Sequence, residues 1–428
     1  SASGIPMEVN MSAPTTSTRP GELTYEVLRD AVEGGAAAFR CRRRLQPIGG
    51  PGDKVFPPTF AGAVYATEQR RLPGYAAPVT CVLLDSVQSQ ANRMEQALQD
   101  AVDAREISIP IIEVDFSSFE PTGKEDGDKN RLLSPIGKIT SLQVPHRLAD
   151  AILRDSEYLE PDGTKKPFRK SSVGQPIDSA SPLNATPIYE LCPTALIFGM
   201  WDSTGPRGGL GAKFERALVS EIVGVGAELG DLTRGVRRDP LDIASGIMVV
   251  KLPDGDWRLA RAETEGEHER TVAPSKVNHS SVPFPEKTEK NRYSGMTIEF
   301  AEQTTTISLI ALRRLGFPRG SATAARTALA ALGLCAATLA FSAGDDLRSR
   351  CALWPVEPMV WHLLEDPAAE PKRFSLDAKT ACTLLAHAAA AAAKAGAPWR
   401  SEVLTLLPSP KLVELTRLSQ KVRVSQEG

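Results

Sequence analysis

A short apolar run that passes without a break into a helical stripe is the feature that most constrains this chain. Residues 79–84 (VTCVLL) suit a buried strand. Asp85 follows as a candidate N-cap, with Gln88 three residues on as its capping-box partner. Val87, Ala91, Met94, Leu98 and Val102 then recur at helical spacing, which predicts a helix with one face in the core. The segment ISIPIIEVDF, from Ile107, reads as the next strand.

A second unit of the same kind begins at Thr194. Residues 194–201 form an apolar run that reads as a strand, residues 202–211 a glycine-rich loop, and a helix is expected from about Ala212 with Phe214, Leu218, Ile222 and Val225 on one face. Further strands are expected at 246–250 and within 296–309. Two such units with extra strands predict an α+β chain built on an RRM-like or ferredoxin-like sheet that carries its helices on one face.

Long stretches between the units lack periodicity. Residues 117–190 are rich in Lys, Asp, Ser, Gly and Pro, and residues 254–294 are polar with an acidic cluster at 263–269. Neither is expected to build a core, and loops of that length inside a compact domain are usually functional extensions. The first 20 residues read as a flexible tail, and the alanine-rich last hundred as helices packed in or on the protein rather than spanning a membrane.

Composition limits the function classes. The chain has 428 residues, 42% of them hydrophobic, which suffices for a sizeable core. Lys and Arg (50) nearly balance Asp and Glu (52), so any polyanion-binding surface must be local. None of the six cysteines forms a C-x-x-C pair, which predicts buried free thiols in a reducing, cytoplasmic setting and no zinc site. The five histidines are scattered, no G-x-S-x-G surrounds a serine, and no EF-hand pattern is present. No catalytic residue, metal or cofactor is expected.

Local features point to a phosphate backbone instead. In WDSTGPRGGLGAKFER (201–216), glycines permit close approach of an anion to backbone N–H groups, Arg207, Lys213 and Arg216 add charge, and Trp201 offers a stacking face. The alternative is a tight turn with Trp201 in the core. Gly211 and Lys213 are not adjacent, so this is no P-loop. The predicted helix at 87 presents Gln88, Ser89, Asn92, Arg93, Gln96 and Gln99 on its outer face, where amides replace the usual Lys and Glu. Such a face can follow phosphates and 2′-hydroxyls without reading bases, or be an ordinary solvated surface. Arg40 to Arg71 holds seven cations against two acids, and Arg313, Arg314, Arg319 and Arg326 form a second basic cluster.

Several strings together resemble one family: LQPIGG with FPPTFAG, VLLDSVQSQANRMEQAL, ATPIYELCPTALIFGMWDSTGPRGGLGAKFERALVSEIVG, PSKVNH and ALRRLGFP. They look like the RAMP-superfamily backbone subunit, of Cas-seven type, of type I-G (formerly I-U) CRISPR Cascade complexes. The resemblance runs from about Leu23 to Cys351. It implies a palm (21–116, 191–229 and 295–320), a finger-like insertion (117–190) and a thumb-like or polar insertion (230–294); the helical C-terminal region (321–428) is expected from its alanine content, and the alanine-rich end lies outside the resemblance.

The family also implies a function. Copies polymerise along guide crRNA, hold its backbone and present its bases to target DNA, together with other Cascade subunits. The positions that match, or that lie in the basic segments, are Arg43, Lys54, Gln88, Ser89, Gln90, Asn92, Arg93, Trp201, Ser203, Thr204, Arg207, Gly208, Gly209, Lys213 and Arg216. Two other readings remain: a metal-dependent ribonuclease acting through a loop aspartate such as Asp202, and an enzyme that binds a small phosphorylated molecule at the same loop.

Overall fold

The computed structural model describes residues 19–62, 64–122, 131–230, 238–244, 246–252, 255–260, 271–279 and 295–427. Its central sheet is built from β1 (Ala38–Pro47), β2 (Thr67–Arg70), β3 (Val79–Asp85), β8 (Leu218–Val225), β9 (Phe300–Ser308), β12 (Val360–Leu364) and β13 (Lys372–Ser375). These lie side by side as β13-β12-β1-β9-β8-β3-β2, with every neighbouring pair antiparallel. Gly21–Glu22 adds a parallel edge beyond β13, and the pair β10 (Asp345–Asp346) and β11 (Ala352–Pro355) hangs from β1.

Three long helices cover one face: α2 (Val87–Asp103), α3 (Ala322–Phe341) and α4 (Ala378–Lys394). Taken as β1, α2, β8, β9, α3 and β12, the elements run β-α-β-β-α-β, and their fourth, first, third and second strands are adjacent in the sheet. Alternation explains the strands: β9 (FAEQTTTIS) buries every second residue, and β1 buries Phe39, Cys41, Arg43 and Leu45 while Arg40, Arg42 and Arg44 stay exposed. Alanine explains α3, whose short side chains permit close helix packing, so nearly the whole helix lies in the core. That helix is long and apolar enough to cross a membrane, but here its surroundings are α2, α4 and α1 (Tyr25–Glu33). Tyr25 of α1 stacks on His387 of α4 at 4.4 Å.

The helix-covered face is apolar at both ends and polar between. Phe39, Leu218 and Ile307 belong to one apolar cluster; Leu45, Ile222 and Ala301 belong to another. Between them lie Arg43, Ser220, Gln303 and Thr305, all buried. Gln303 and Arg43 are register partners, as are Ser220 and Thr305.

Several expectations are corrected. The segment from Ala212 is not a helix. Lys213–Phe214 is a short strand and Leu218–Val225 a central one, because Val219, Ile222, Val223 and Val225 are β-branched and lie between two neighbouring strands. The run 194–201 is instead mostly helical, with Thr194–Phe198 forming a short buried helix. Residues 117–190 do contribute to a core: Leu148, Leu153, Phe168 and Ile188 are buried in the main cluster. Their strands β5 (Lys138–Thr140), β6 (Ser156–Leu159) and β7 (Lys165–Pro167) join β4 (Ile112–Asp115) and the C-terminal β14 (Leu404–Pro408) in a second sheet, ordered β7-β6-β14-β4-β5.

The C-terminal region is therefore not purely helical, since it supplies β10 to β14 besides α3, α4 and α5 (Pro410–Glu427). Residues 230–294, expected to hold a thumb-like insertion, lie largely outside the described residues. Val249–Lys251, Trp257–Leu259 and Thr271–Val272 form a small sheet there. All six cysteines are free, five of them buried and Cys382 half-buried.

Candidate nucleic-acid interface

The site is organised by the start of α2. Ser86, not Asp85, is its N-cap and accepts from the Ser89 N–H at 3.2 Å. Asp85 ends β3 fully buried, and its carboxylate accepts from Gln90 Nε2 (2.6 Å), Arg93 Nε (2.9 Å) and Arg348 Nη2 (3.4 Å). Gln90 Oε1 in turn accepts from Ser220 Oγ and Gln303 Nε2, both at 2.8 Å. Gln303 Oε1 accepts from Arg43 Nε at 2.6 Å, and Arg43 Nη2 lies 3.0 Å from Asp345.

This chain of bonds corrects two candidates. Gln90 and Arg43 are 0% and 2% exposed, so neither reaches a ligand at the surface. They satisfy polar groups that would each cost about 1–3 kcal/mol if buried unpaired. Arg93 also works chiefly inside the fold, donating to the Asp346 and Leu347 carbonyls at 3.2 and 2.7 Å.

What α2 leaves outside is a polar ridge. Gln88, Asn92 and Gln96, one helical turn apart, are exposed, and Ser89 is half-buried beside them. Arg93 flanks this ridge on one side and Glu95 on the other, and each is tied to a charged border.

On the Arg93 side, the loop it holds continues into Arg348 and Arg350. With Lys54, these line an open cleft of about 520 Å³ that also includes Asp53 and Asp346. The Arg350 guanidinium lies 4.3 Å from the centroid of Phe56.

On the Glu95 side, Arg147 donates to both Glu95 oxygens at 2.7 and 2.8 Å and to the Gly199 carbonyl at 3.1 Å, all within the core. Burial pushes the Glu95 carboxyl upward against the pull of Arg147. Gly199 has φ +84° and opens the glycine-rich loop; a Cβ there would lie 3.0 Å from Arg216 Cγ.

The loop presents Trp201, 56% exposed, with Lys213 as its cross-strand partner and Nζ 5.4 Å from its ring centroid. The reading that buried Trp201 in a core is thereby excluded. Thr204, Arg207 and Gly209 are exposed, while Ser203 and Gly208 are partly so. Arg207 donates to the Asp178 carbonyl at 3.1 Å. Arg216 is half-buried against Arg147, and burial lowers its pKa, so it supports the loop from below. Since a strand and not a helix follows the loop, no helix dipole contributes to anion binding here.

Two of the glycines serve packing. Asp202 is 3% exposed and lies 2.8 Å from Arg169, which also pairs with Asp178. A Cβ on Gly211 would fall 1.8 Å from the Asp202 carbonyl, and one on Gly205 would meet its carboxylate. The loop is thus wound around a buried ion pair that fixes its shape.

Of the arginines in the basic segment, Arg43 is the one that is buried, while its neighbours reach the surface. The sequence carries this difference: in FRCRRRL the apolar alternation of Phe39, Cys41 and Leu45 turns Arg43 inward and Arg40, Arg42 and Arg44 outward.

The antiparallel sheet, the polar ridge and the glycine-rich loop fall in a stretch that is similar to a CRISPR-associated protein family. The model of the family described as CRISPR-associated protein GSU0053 matches residues 39–229, from β1 through β8 and thus the whole ridge and loop. No curated protein matches the chain.

Proposed function

We propose that this chain is a non-catalytic backbone subunit of a CRISPR effector, polymerising along guide crRNA with other copies of itself and other Cascade subunits. Its palm is read as RRM-like, a reading supported by the β-α-β-β-α-β order and the arrangement of β12, β1, β9 and β8. The observation that carries the proposal is the α2 ridge held between two charged borders by Arg93 and Arg147.

The chemistry suits a sugar–phosphate backbone and little else. Gln88 and Asn92 each offer a donor and an acceptor to 2′-hydroxyls and phosphates without base preference. Lys54 and Arg350 on one border and Lys213 on the other supply charge. Trp201 can stack on a base or separate two of them. The guide's own bases then remain free to pair with target DNA, which supplies the specificity.

The test is co-expression with and without a CRISPR array. RNA-rich particles larger than a monomer are expected only with the array; an RNA-free monomer in both preparations contradicts the proposal. The ribonuclease reading is disfavoured by Asp202, whose carboxylate is buried against Arg169 and unavailable to a metal or water.

A further inference from the structure

The face of the central sheet away from α2 carries a charged row that the guide track does not use. Arg40, Arg42 and Arg44 all project from β1 onto it. Alternate residues on a strand are about 6.8 Å apart, close to the repeat of phosphates along an extended single strand. The row continues sideways: His362 on β12 is the register partner of Arg40, and Arg373 on β13 that of His362.

Flat surfaces lie beside these charges. The Arg44 guanidinium lies 4.2 Å from the centroid of Phe300 on β9, and Tyr75 borders the same open cleft, of about 500 Å³. Acids are present but fewer. Glu302 holds Arg42 at 2.8 Å, and Glu357 accepts from the Arg44 backbone at 3.0 Å. Arg40 makes no side-chain hydrogen bond or ion pair among the described residues and is exposed.

We propose that this face is a second nucleic-acid site, which binds an extended single strand through its phosphates at Arg40 and Arg42 and stacks a base on the Arg44–Phe300 pair. Regularly spaced guanidiniums next to stacking planes fit a nucleic acid better than an acidic peptide, which would use the charges and leave the planes idle. Because the residues lie on the opposite face from α2, the site is independent of guide binding.

The test is fluorescence anisotropy with a labelled, non-complementary 12-mer oligouridylate, on the guide-loaded complex and on the chain alone. Guide retention is read separately from the 260/280 nm ratio. Arg40→Glu/Arg42→Glu is expected to weaken binding to the complex at least tenfold with guide retention unchanged. Arg44→Lys, which keeps the charge and loses the planar stack, is expected to weaken it several-fold. If charge reversal impairs folding, Arg40→Gln/Arg42→Gln reads the same loss. Should wild type retain no guide, the guide reading fails while the titration on the chain alone still tests this face. Unchanged affinity in the double variant, parallel loss of guide, or equal displacement by oligoglutamate of the same length overturns the proposal.

Discussion

Arg42 and Arg43 are consecutive and do opposite work. Arg43 is buried, bonded to Gln303 and ion-paired with Asp345 at 3.0 Å. Arg42 stands on the other face, half-exposed, and pairs with Glu302 at 2.8 Å. Removing Arg43 strands a buried carboxylate and a buried amide, so Arg43→Ala is expected to cost about 3–5 kcal/mol. An exposed pair contributes about 0–1 kcal/mol, which bounds Arg42→Ala. Denaturant midpoints of the two variants check this, and equal costs contradict the assignment.

The link between the glycine-rich loop and α2 is expected to behave in the same way. Arg147 joins Glu95 to the Gly199 carbonyl, and Arg147→Ala leaves Glu95 without its partner in the core. A loss of about 3–5 kcal/mol is expected, together with faster amide exchange in residues 199–211. Replacing Arg147 and Glu95 together by Met and Leu should recover most of the stability and leave the exchange fast. If the loop exchanges at the wild-type rate in Arg147→Ala, the loop is held by something else.

Acidity provides a third test. Burial, against the pull of Arg43, pushes the Asp345 carboxyl from 3.8 up to about 6. The folded pKa is the higher one, so the group's contribution to stability is fully present below about pH 4 and is lost as pH rises through about 6. The span is on the order of 3 kcal/mol for about two pK units. Wild type is therefore expected to lose stability relative to Asp345→Asn between about pH 4 and pH 6.5. A difference that stays constant across that range contradicts it.

Much of this architecture is legible in the sequence, and its failures have physical causes. The strand at 79–85 and the helix at 87–103 follow from an apolar run and a clean helical stripe, and the exposed Gln88 and Asn92 lie where the stripe puts them, whereas Gln99, expected on the same face, is buried and accepts from Thr140. The segment 212–225 defeats the same logic, because Phe214, Leu218, Ile222 and Val225 fit a helical stripe while their β-branched neighbours fit a doubly packed strand. Residues 117–190 look coreless because their few apolar residues are completed from afar, by β4 and by β14 near the C-terminus. The inward turn of Gln90 and Arg43 is also non-local, since each finds its partner on β9.

The loop's contribution to RNA binding divides into stacking and charge. Trp201 is exposed, so Trp201→Ala should leave the fold intact and weaken guide affinity by about 1–3 kcal/mol. Lys213→Ala should instead flatten the dependence of log K on log salt by about 0.7, the loss of one phosphate contact to a single strand. Titrations at several salt concentrations separate the two effects. An unchanged slope for Lys213→Ala removes that residue from the phosphate path.

The most direct measurement of the central claim is ultraviolet cross-linking of the guide-loaded complex, followed by mass spectrometry of RNA-linked peptides. The account predicts adducts in the peptides holding Gln88–Asn92 and Trp201–Lys213, with the Trp201 adduct lost in Trp201→Ala. Guide RNA cross-linked only to other peptides, or an array-expressed chain with no RNA to cross-link, would contradict it.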